Sequence, residues 1–260
     1  MQINDDLFIF DEPFQYKEIL IYPVKMRDFA TFNICATCLT LPKNHEPDIS
    51  IIKMSYLDYL LYLIFKSKTD SFENKEEDEQ VILSMLLCLM QIVLKDQKFQ
   101  IGWNADGSAK ILVNDIEYTS SDFDTIKDII LRQNEVEVED GSMSFEVLQA
   151  LRDARKRRAE LENTENATIE ERVVSLMIYT GWDINKIKDM TSRKFFRCFE
   201  RIELLETYKI CSTASMSGMV KFENKIQHWT AHYKRNGSFD SVKMDADEFS
   251  GKFKDVVSFG

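Results

Sequence analysis

Proline is scarce in this chain of 260 residues and runs out early: Pro13, Pro23, Pro42 and Pro47 all precede residue 50. The long remainder is free of the strongest helix breaker, which favours long helices. Glycine is sparse too, and its signature motifs are missing: there is no G-x-G-x-x-G, no G-x-x-x-x-G-K-S/T and no G-x-S-x-G. Nucleotide cradles and hydrolase nucleophile elbows therefore have no support. The apolar runs are short. Tyr56–Phe65 and Val81–Leu94 fall below the ~20 residues of a spanning helix and are broken by Asp58, Ser84 and Gln91, so both read as buried core helices. Residues 1–12 have early acids and no basic n-region, so no secretory leader is expected. The five cysteines, an odd number, then read as reduced thiols in a cytoplasm.

What is present is an ordinary globular composition, 44% hydrophobic and 30% charged, which sets disorder aside. The formal net charge of −11 disfavours nonspecific duplex binding, which draws its affinity from Lys and Arg on phosphates. It suits a protein that touches other proteins.

Along the chain, residues 7–24 alternate aromatic and aliphatic side chains around a DEP turn (LFIF, then ILIYPV). That predicts a hairpin or a pair of edge strands ended by Pro23. Met26 to Leu39 reads as a helix with Phe29, Phe32 and Cys35 or Ala36 on one side, and LPKNHEPD as a loop. Ser55 is placed to cap SYLDYLLYLIFK. The acid-rich residues 70–80 read as a solvated loop entering a helix, whose N-terminus favours negative charge. Val81–Leu94, apolar nearly all round, belongs at the centre of the first half. The period then changes to two. FQIGW, KILV and IEY, separated by NADGSA and ND, predict a small antiparallel meander near 99–118, and Ser121 is placed to cap the helix that follows.

EVEVEDGS, with its alternating acids and Gly141, reads as the best domain boundary. A helix from Ser144 onward shows Arg152, Arg155, Lys156, Arg157 and Arg158 against Asp153. The stretch Thr168–Tyr208 then reads as three helices. Thr168 and Glu171 form a capping-box pair, and Ile169, Val173, Leu176 and Met177 share one face. Gly181 stops this helix. Asp183 caps a short second helix with Ile184, Ile187 and Met190, and Thr191 caps a third with Phe195, Phe199 and Ile202 inside. HWTAHYKRNG reads as one more short helix. The expected fold class is mainly α (α+β), helical bundle lobes with a small antiparallel β meander. Its expected parts are an N-terminal lobe at 1–134, an acidic linker and basic connecting helix at 135–166, a three-helix unit at 167–235 and a tail or peripheral helix at 236–260.

Chemistry finds little footing. Cys35-Ala-Thr-Cys38 has C-x-x-C spacing, but it sits in a helical pattern with no second pair, so buried core thiols are expected. His228 and His232 are four apart, yet Trp229 stands where a metalloprotease needs its Glu. No catalytic, cofactor-binding or metal-binding residue is assigned, and no cofactor. The three helices also fit a DNA-reading helix-turn-helix presenting Arg193, Lys194, Arg197 and Arg201. Against this, the same helix needs Phe195, Phe196, Phe199 and Ile202 for packing, and the protein is acidic. The four cations are expected to form a solvated face.

Residues 179–205, YTGWDINKIKDMTSRKFFRCFERIELL, resemble a pattern of small assembly proteins of tailed bacteriophages, the tail-assembly chaperones and baseplate-assembly proteins of contractile-tailed phages. A short helix of the form Gly-aromatic-polar-x-x-Ile/Val-x-x-Met precedes Thr/Pro-x-Arg-x-Phe/Trp and an amphipathic helix. Gly181, Trp182, Ile187, Met190, Thr191, Arg193 and Phe195 or Phe196 occupy those places. YKEILIYPVKMRDF, ISIIKMSYLDYLLYLI and TASMSGMVKF also look like phage proteins of this size, whereas the meander has no counterpart in the pattern. The resemblance implies a non-enzymatic tail or baseplate assembly factor or structural component working through helix-mediated protein contacts in the host bacterial cytoplasm, with retention in the virion tail left open. Interaction is expected at Trp182, Arg193, Phe196, Arg197 and Arg201. Expected partners are phage tail or baseplate proteins, with self-association open, no membrane, and nucleic acid only as the alternative.

Overall fold

The first strands form where apolar side chains can face inward on both sides of a tight turn. Phe14–Tyr16 (β1) and Ile19–Ile21 (β2) pair antiparallel, with Phe14 opposite Ile21 and Tyr16 opposite Ile19. The LFIF stretch is not a strand, contrary to expectation: Asp5–Phe8 is a 3-10 turn. Phe8 goes inward against Phe14, with ring centroids 5.7 Å apart, and Ile9 and Phe10 are left exposed. Asp11 then takes a left-handed φ of 61°, which turns the chain before the hairpin. The computed structural model describes residues 5–43, 48–69, 76–104, 107–136, 138, 145–162, 167–218, 220–222 and 225–231. Among the described residues the protein is mainly helical with two small antiparallel sheets.

Met26 to Leu39 is helical, but as a central α-helix, Phe29–Ala36 (α1), flanked by 3-10 turns at Met26–Asp28 and Thr37–Leu39. Phe32, Cys35 and Ala36 are buried. After the short helix Ile49–Lys53 (α2) come Tyr56–Thr69 (α3) and Glu76–Leu94 (α4). The N-terminus of α3 is satisfied from two directions. Ser55 Oγ accepts the Asp58 amide at 3.1 Å, and Asp124, far along the chain, accepts the Tyr56 amide at 2.8 Å. On α4, Leu86, Leu89, Met90, Val93 and Leu94 are buried, but Val81 and Leu87 are exposed, so this helix packs on one side only.

The meander is Phe99–Trp103 (β3), Ala109–Val113 (β4) and Ile116–Thr119 (β5), paired antiparallel in that order. Ala109, Ile111 and Val113 point inward at period two. The next helix, Ser120–Gln133 (α5), is capped by Thr119 rather than Ser121. Thr119 and Asp122 form a reciprocal capping box, because β5 runs directly into the helix and leaves Ser121 already inside it. Asp122 also receives the Tyr16 hydroxyl and the Lys17 ammonium, each at 2.6 Å, tying the hairpin to α5.

The helices near the C-terminal end are Phe145–Glu162 (α6), Ile169–Thr180 (α7), Ile184–Asp189 (α8) and Ser192–Met216 (α9). Gly181 ends α7 at φ 70°, where a side chain would be strained. Thr191 caps α9 by accepting the Lys194 amide. Asp183 holds the N-cap position of α8 without a side-chain cap bond; its carboxylate takes the Asn185 side-chain amide at 3.0 Å instead. The third helix continues past Tyr208 to Met216, since no breaker stands before Gly218.

Described residues of 1–138 and 169–230 belong to one compact unit, and those of 139–168 with Ala231 to a second. Among the described residues of the first unit the hydrophobic side chains gather in two cores. The larger draws on residues 8–136, and the smaller holds Leu176, Ile187, Met190 and Phe195. Val173, Met177, Trp182, Phe196, Ile202 and Met26 line the smaller core. Ile169 is exposed and Phe199 only half-buried, so both leave the inner face assigned to them. The second unit is described mainly through α6. Leu148 is buried there, Arg152, Lys156 and Arg157 are exposed, and Asp153 accepts the Gln149 amide at 3.3 Å. The side chains of Arg155 and Arg158, most of the EVEVEDGS boundary and residues 232–260 lie outside the described residues. Among those described, no helix is long and apolar enough to cross a membrane.

Candidate interaction surface

Helix α9 begins where its backbone is stitched to the N-terminal chain. Lys25 and Thr191 form an isolated antiparallel bridge. The Met26 amide donates to the Met190 carbonyl at 2.8 Å, and the Ser192 amide to the Val24 carbonyl at 2.8 Å. The Val24 amide in turn donates to Asn134 Oδ1 at 2.8 Å. Lys25 and Arg27 both reach Asp189 at the end of α8.

Two carboxylates outside α9 grip its first turns. Asp11 accepts the Thr191 hydroxyl at 2.6 Å and the Lys194 ammonium at 3.1 Å. Glu135 accepts Arg197 Nε at 2.8 Å and has Arg193 Nη1 at 3.4 Å. Arg193 also donates to the Arg132 carbonyl at 2.9 Å and lies over the Phe8 ring. Arg201 donates to the Trp229 carbonyl at 2.9 Å. The expected solvated basic face holds only in part: Lys194 and Arg197 stay 53% and 42% exposed, but Arg193, Lys194, Arg197 and Arg201 each have a partner within the chain. Arg193, Arg197 and Arg201 recur every four residues, with Lys194 beside the first, on the side of α9 that meets Asp11, Glu135 and the returning segment.

Of the residues singled out for interaction, Arg193, Arg197 and Phe196 come together at this seam, where Phe196 meets Phe29 edge-on at 5.3 Å. Trp182 sits apart, half-buried against the smaller core, with the Lys186 ammonium 4.0 Å from its ring. Asp11 and Glu135 went unrecognised as seam residues. The first lies in the DEP turn and the second in the acidic EVEV stretch, and their only common signal is a carboxylate at a turn.

Beyond the seam, α7 and α9 carry exposed apolar side chains. Val174 and Ile178 lie on α7, Ile178 80% exposed, and Ile210 and Met216 on α9, Met216 87% exposed. Tyr179 of α7 donates to Glu206 of α9 at 2.7 Å, and Lys209 joins the same carboxylate at 2.7 Å. His228 meets the Tyr208 ring at 5.0 Å and the Trp229 carbonyl accepts Arg201, so the chain around 228–229 runs back along α9.

Burial pushes the Cys35 thiol up to about 11, with a hydrogen bond to Cys88 adding to the effect, and burial pushes Cys38 up to about 12. Such thiols keep their protons, which is the chemistry of core packing and not of a reactive thiolate. His228 Nδ1 contacts Thr230 Oγ1 at 2.7 Å, and His232 lies outside the described residues. Among the described residues no group of three or more His, Cys, Asp or Glu side chains is placed to hold a metal ion.

Residues 160–234 match the model of a phage-associated domain family, described as the YomV second domain. The match spans α7, α8 and α9 with the segment that returns along α9. No curated protein and no solved structure matches the chain.

Proposed function

We propose that this protein is a non-enzymatic phage assembly factor or structural component that binds tail or baseplate proteins through α7 and α9. The observation that carries the reading is the pairing of a phage-associated family match at 160–234 with exposed Val174, Ile178, Ile210 and Met216 on the helices of that same segment. Large apolar side chains left in water on helices are commonly covered by a partner helix or groove. The alternative, a nucleic-acid regulator, would need Arg193, Lys194, Arg197 and Arg201 on phosphates, and their engagement inside the chain speaks against it.

The test is affinity capture of the tagged full chain from the cell in which it is naturally made, with wild type beside Ile178→Asp and Ile210→Asp. Phage tail or baseplate proteins should copurify with wild type and be depleted with each variant. Their absence from the wild-type eluate, or their unchanged recovery with both folded variants, would sink the proposal.

A further inference from the structure

We propose that α7, α8 and α9 form a hinged module, latched to the rest of its compact unit by the Asp11 and Glu135 carboxylates and able to swing free with its own core intact. This inference goes beyond the assembly reading and does not depend on it.

Three observations lead there. First, Leu176, Ile187, Met190 and Phe195 make a core distinct from the one that holds Leu57, Leu89 and Phe123, so each side of the seam has its own apolar anchor. Second, what joins the two sides is mostly polar. Asp11 holds Thr191 and Lys194, Glu135 holds Arg193 and Arg197, Asp189 takes Lys25 and Arg27, and backbone bonds link Met26 to Met190 and Ser192 to Val24. Among the described residues the apolar contribution to the joint includes Met26 against the smaller core, Phe29 against Phe196 and the Phe8 ring under Arg193. Polar interfaces of this kind within a chain permit relative motion by default, and sub-global opening follows such weak planes. Third, the family match at 160–234 begins and ends around these helices without the N-terminal residues they pack on.

Local turns fix where the latch carboxylates stand. Asp11 and Glu135 sit at φ 61° and 55°, a left-handed conformation that residues other than glycine adopt reluctantly. Glu135 is the left-handed residue that ends α5, its amide donating to the Arg132 carbonyl and the Val136 amide to the Leu131 carbonyl. Asp11 turns the chain before the hairpin, so both carboxylates are presented to α9 from fixed turns. Opening would uncover Phe29, Phe196, Met26 and Met190 together. Lys194 and Arg197 are 53% and 42% exposed at their side chains, so salt reaches these pairs and weakens them.

Amide hydrogen exchange on the full chain tests the latch. The reporters are the Met26 and Ser192 amides at the seam, amides inside α7 for the smaller core and amides inside α4 for the larger. In wild type, raising salt from about 50 to 500 mM, a range over which the screening length falls severalfold, should speed the seam amides while α7 and α4 keep their protection. Asp11→Asn and Glu135→Gln should speed the seam at low salt by about tenfold or more, the factor that roughly 1.4 kcal/mol produces, and should flatten its salt response. Seam amides that exchange only in step with α4 at every salt would overturn the proposal. So would α7 amides that lose protection together with the seam, since the helices would then be melting and not swinging. The wild-type salt series decides the matter even where a variant folds poorly.

Discussion

Arg197 and Glu135 meet across 62 residues of chain, with Nε and Nη2 of the guanidinium 2.8 and 2.7 Å from the same carboxylate oxygen. Arg193 approaches that oxygen from one turn earlier, at 3.4 Å, so a single carboxylate serves two arginines. The arrangement is unequal. Glu135 has a side chain 8% exposed, whereas Arg197 is 42% exposed.

From that asymmetry, the two ends of the pair should differ on substitution. Glu135→Gln leaves two cations facing a neutral amide in a largely dry site and should cost about 1–3 kcal/mol. Arg197→Gln leaves Glu135 still paired with Arg193, and water already screens the lost partner, so the cost should stay below about 1 kcal/mol. Urea denaturation of the two variants measures both; equal losses would contradict the order.

Phe195 and Phe199 should likewise separate. Phe195 is fully buried, so Phe195→Ala should cost roughly 3–5 kcal/mol. Phe199 is half-buried under the Arg172 guanidinium, 5.9 Å from its ring, and Phe199→Ala should cost only about 1–2 kcal/mol. Thermal or chemical denaturation gives the ranking.

Acid should loosen the hairpin's attachment to α5. Burial opposes ionisation of Asp122, but hydrogen bonds from Lys17, Tyr16 and Thr119 outweigh it and pull the carboxyl down to about 2. A carboxyl depressed in the folded state stabilises it above the unfolded value, near 4, and that contribution fades as pH falls from about 4 towards 2. Because Lys17 is half exposed, the contribution should be no more than about 2 kcal/mol. Stability measured from pH 6 down to 2 should fall less steeply in Asp122→Asn than in wild type.

The thiols should sort by burial. Cys35 and Cys38, raised to about 11 and 12, should resist a thiol reagent near pH 8 until the chain is unfolded. Cys88 and Cys211, both partly exposed, should react in the native state. Counting labelled peptides with and without denaturant checks this, and rapid native labelling of Cys38 would contradict it.

Duplex DNA should bind weakly if at all. Neutralising 6 phosphates would cost about a thousandfold in affinity between 50 and 200 mM salt, so a fluorescence titration across that range has a clear signature. Wild-type protein should show no tight, steeply salt-dependent binding. Replacing Arg193, Lys194, Arg197 and Arg201 together is a poor control, because the same change removes the contacts to Asp11, Glu135 and Trp229.

Much of the fold was legible locally. The period-two runs with their NADGSA and ND turns specify the meander, Gly181 ends α7, and Thr191 starts α9, because each signal acts within a few residues of backbone. Local reading erred where a neighbour in space chose between near-equal options. Thr119 and Ser121 are both competent caps, and the end of β5 gave the position to Thr119. LFIF has strand propensity, yet packing Phe8 on Phe14 turned it into a 3-10 segment.

The sequence by itself determined that this protein is mainly helical, that α7 ends at Gly181 and that α9 starts after Thr191, since propensity, capping and glycine conformations are local properties. Only the tertiary structure decided the fate of the basic face of α9. Periodicity places Arg193, Lys194, Arg197 and Arg201 on one side, but it cannot say whether water, phosphate or carboxylate lies opposite them. Asp11 and Glu135 arrive there from positions far along the chain, by a pairing of charges in space that leaves no periodic trace in the sequence.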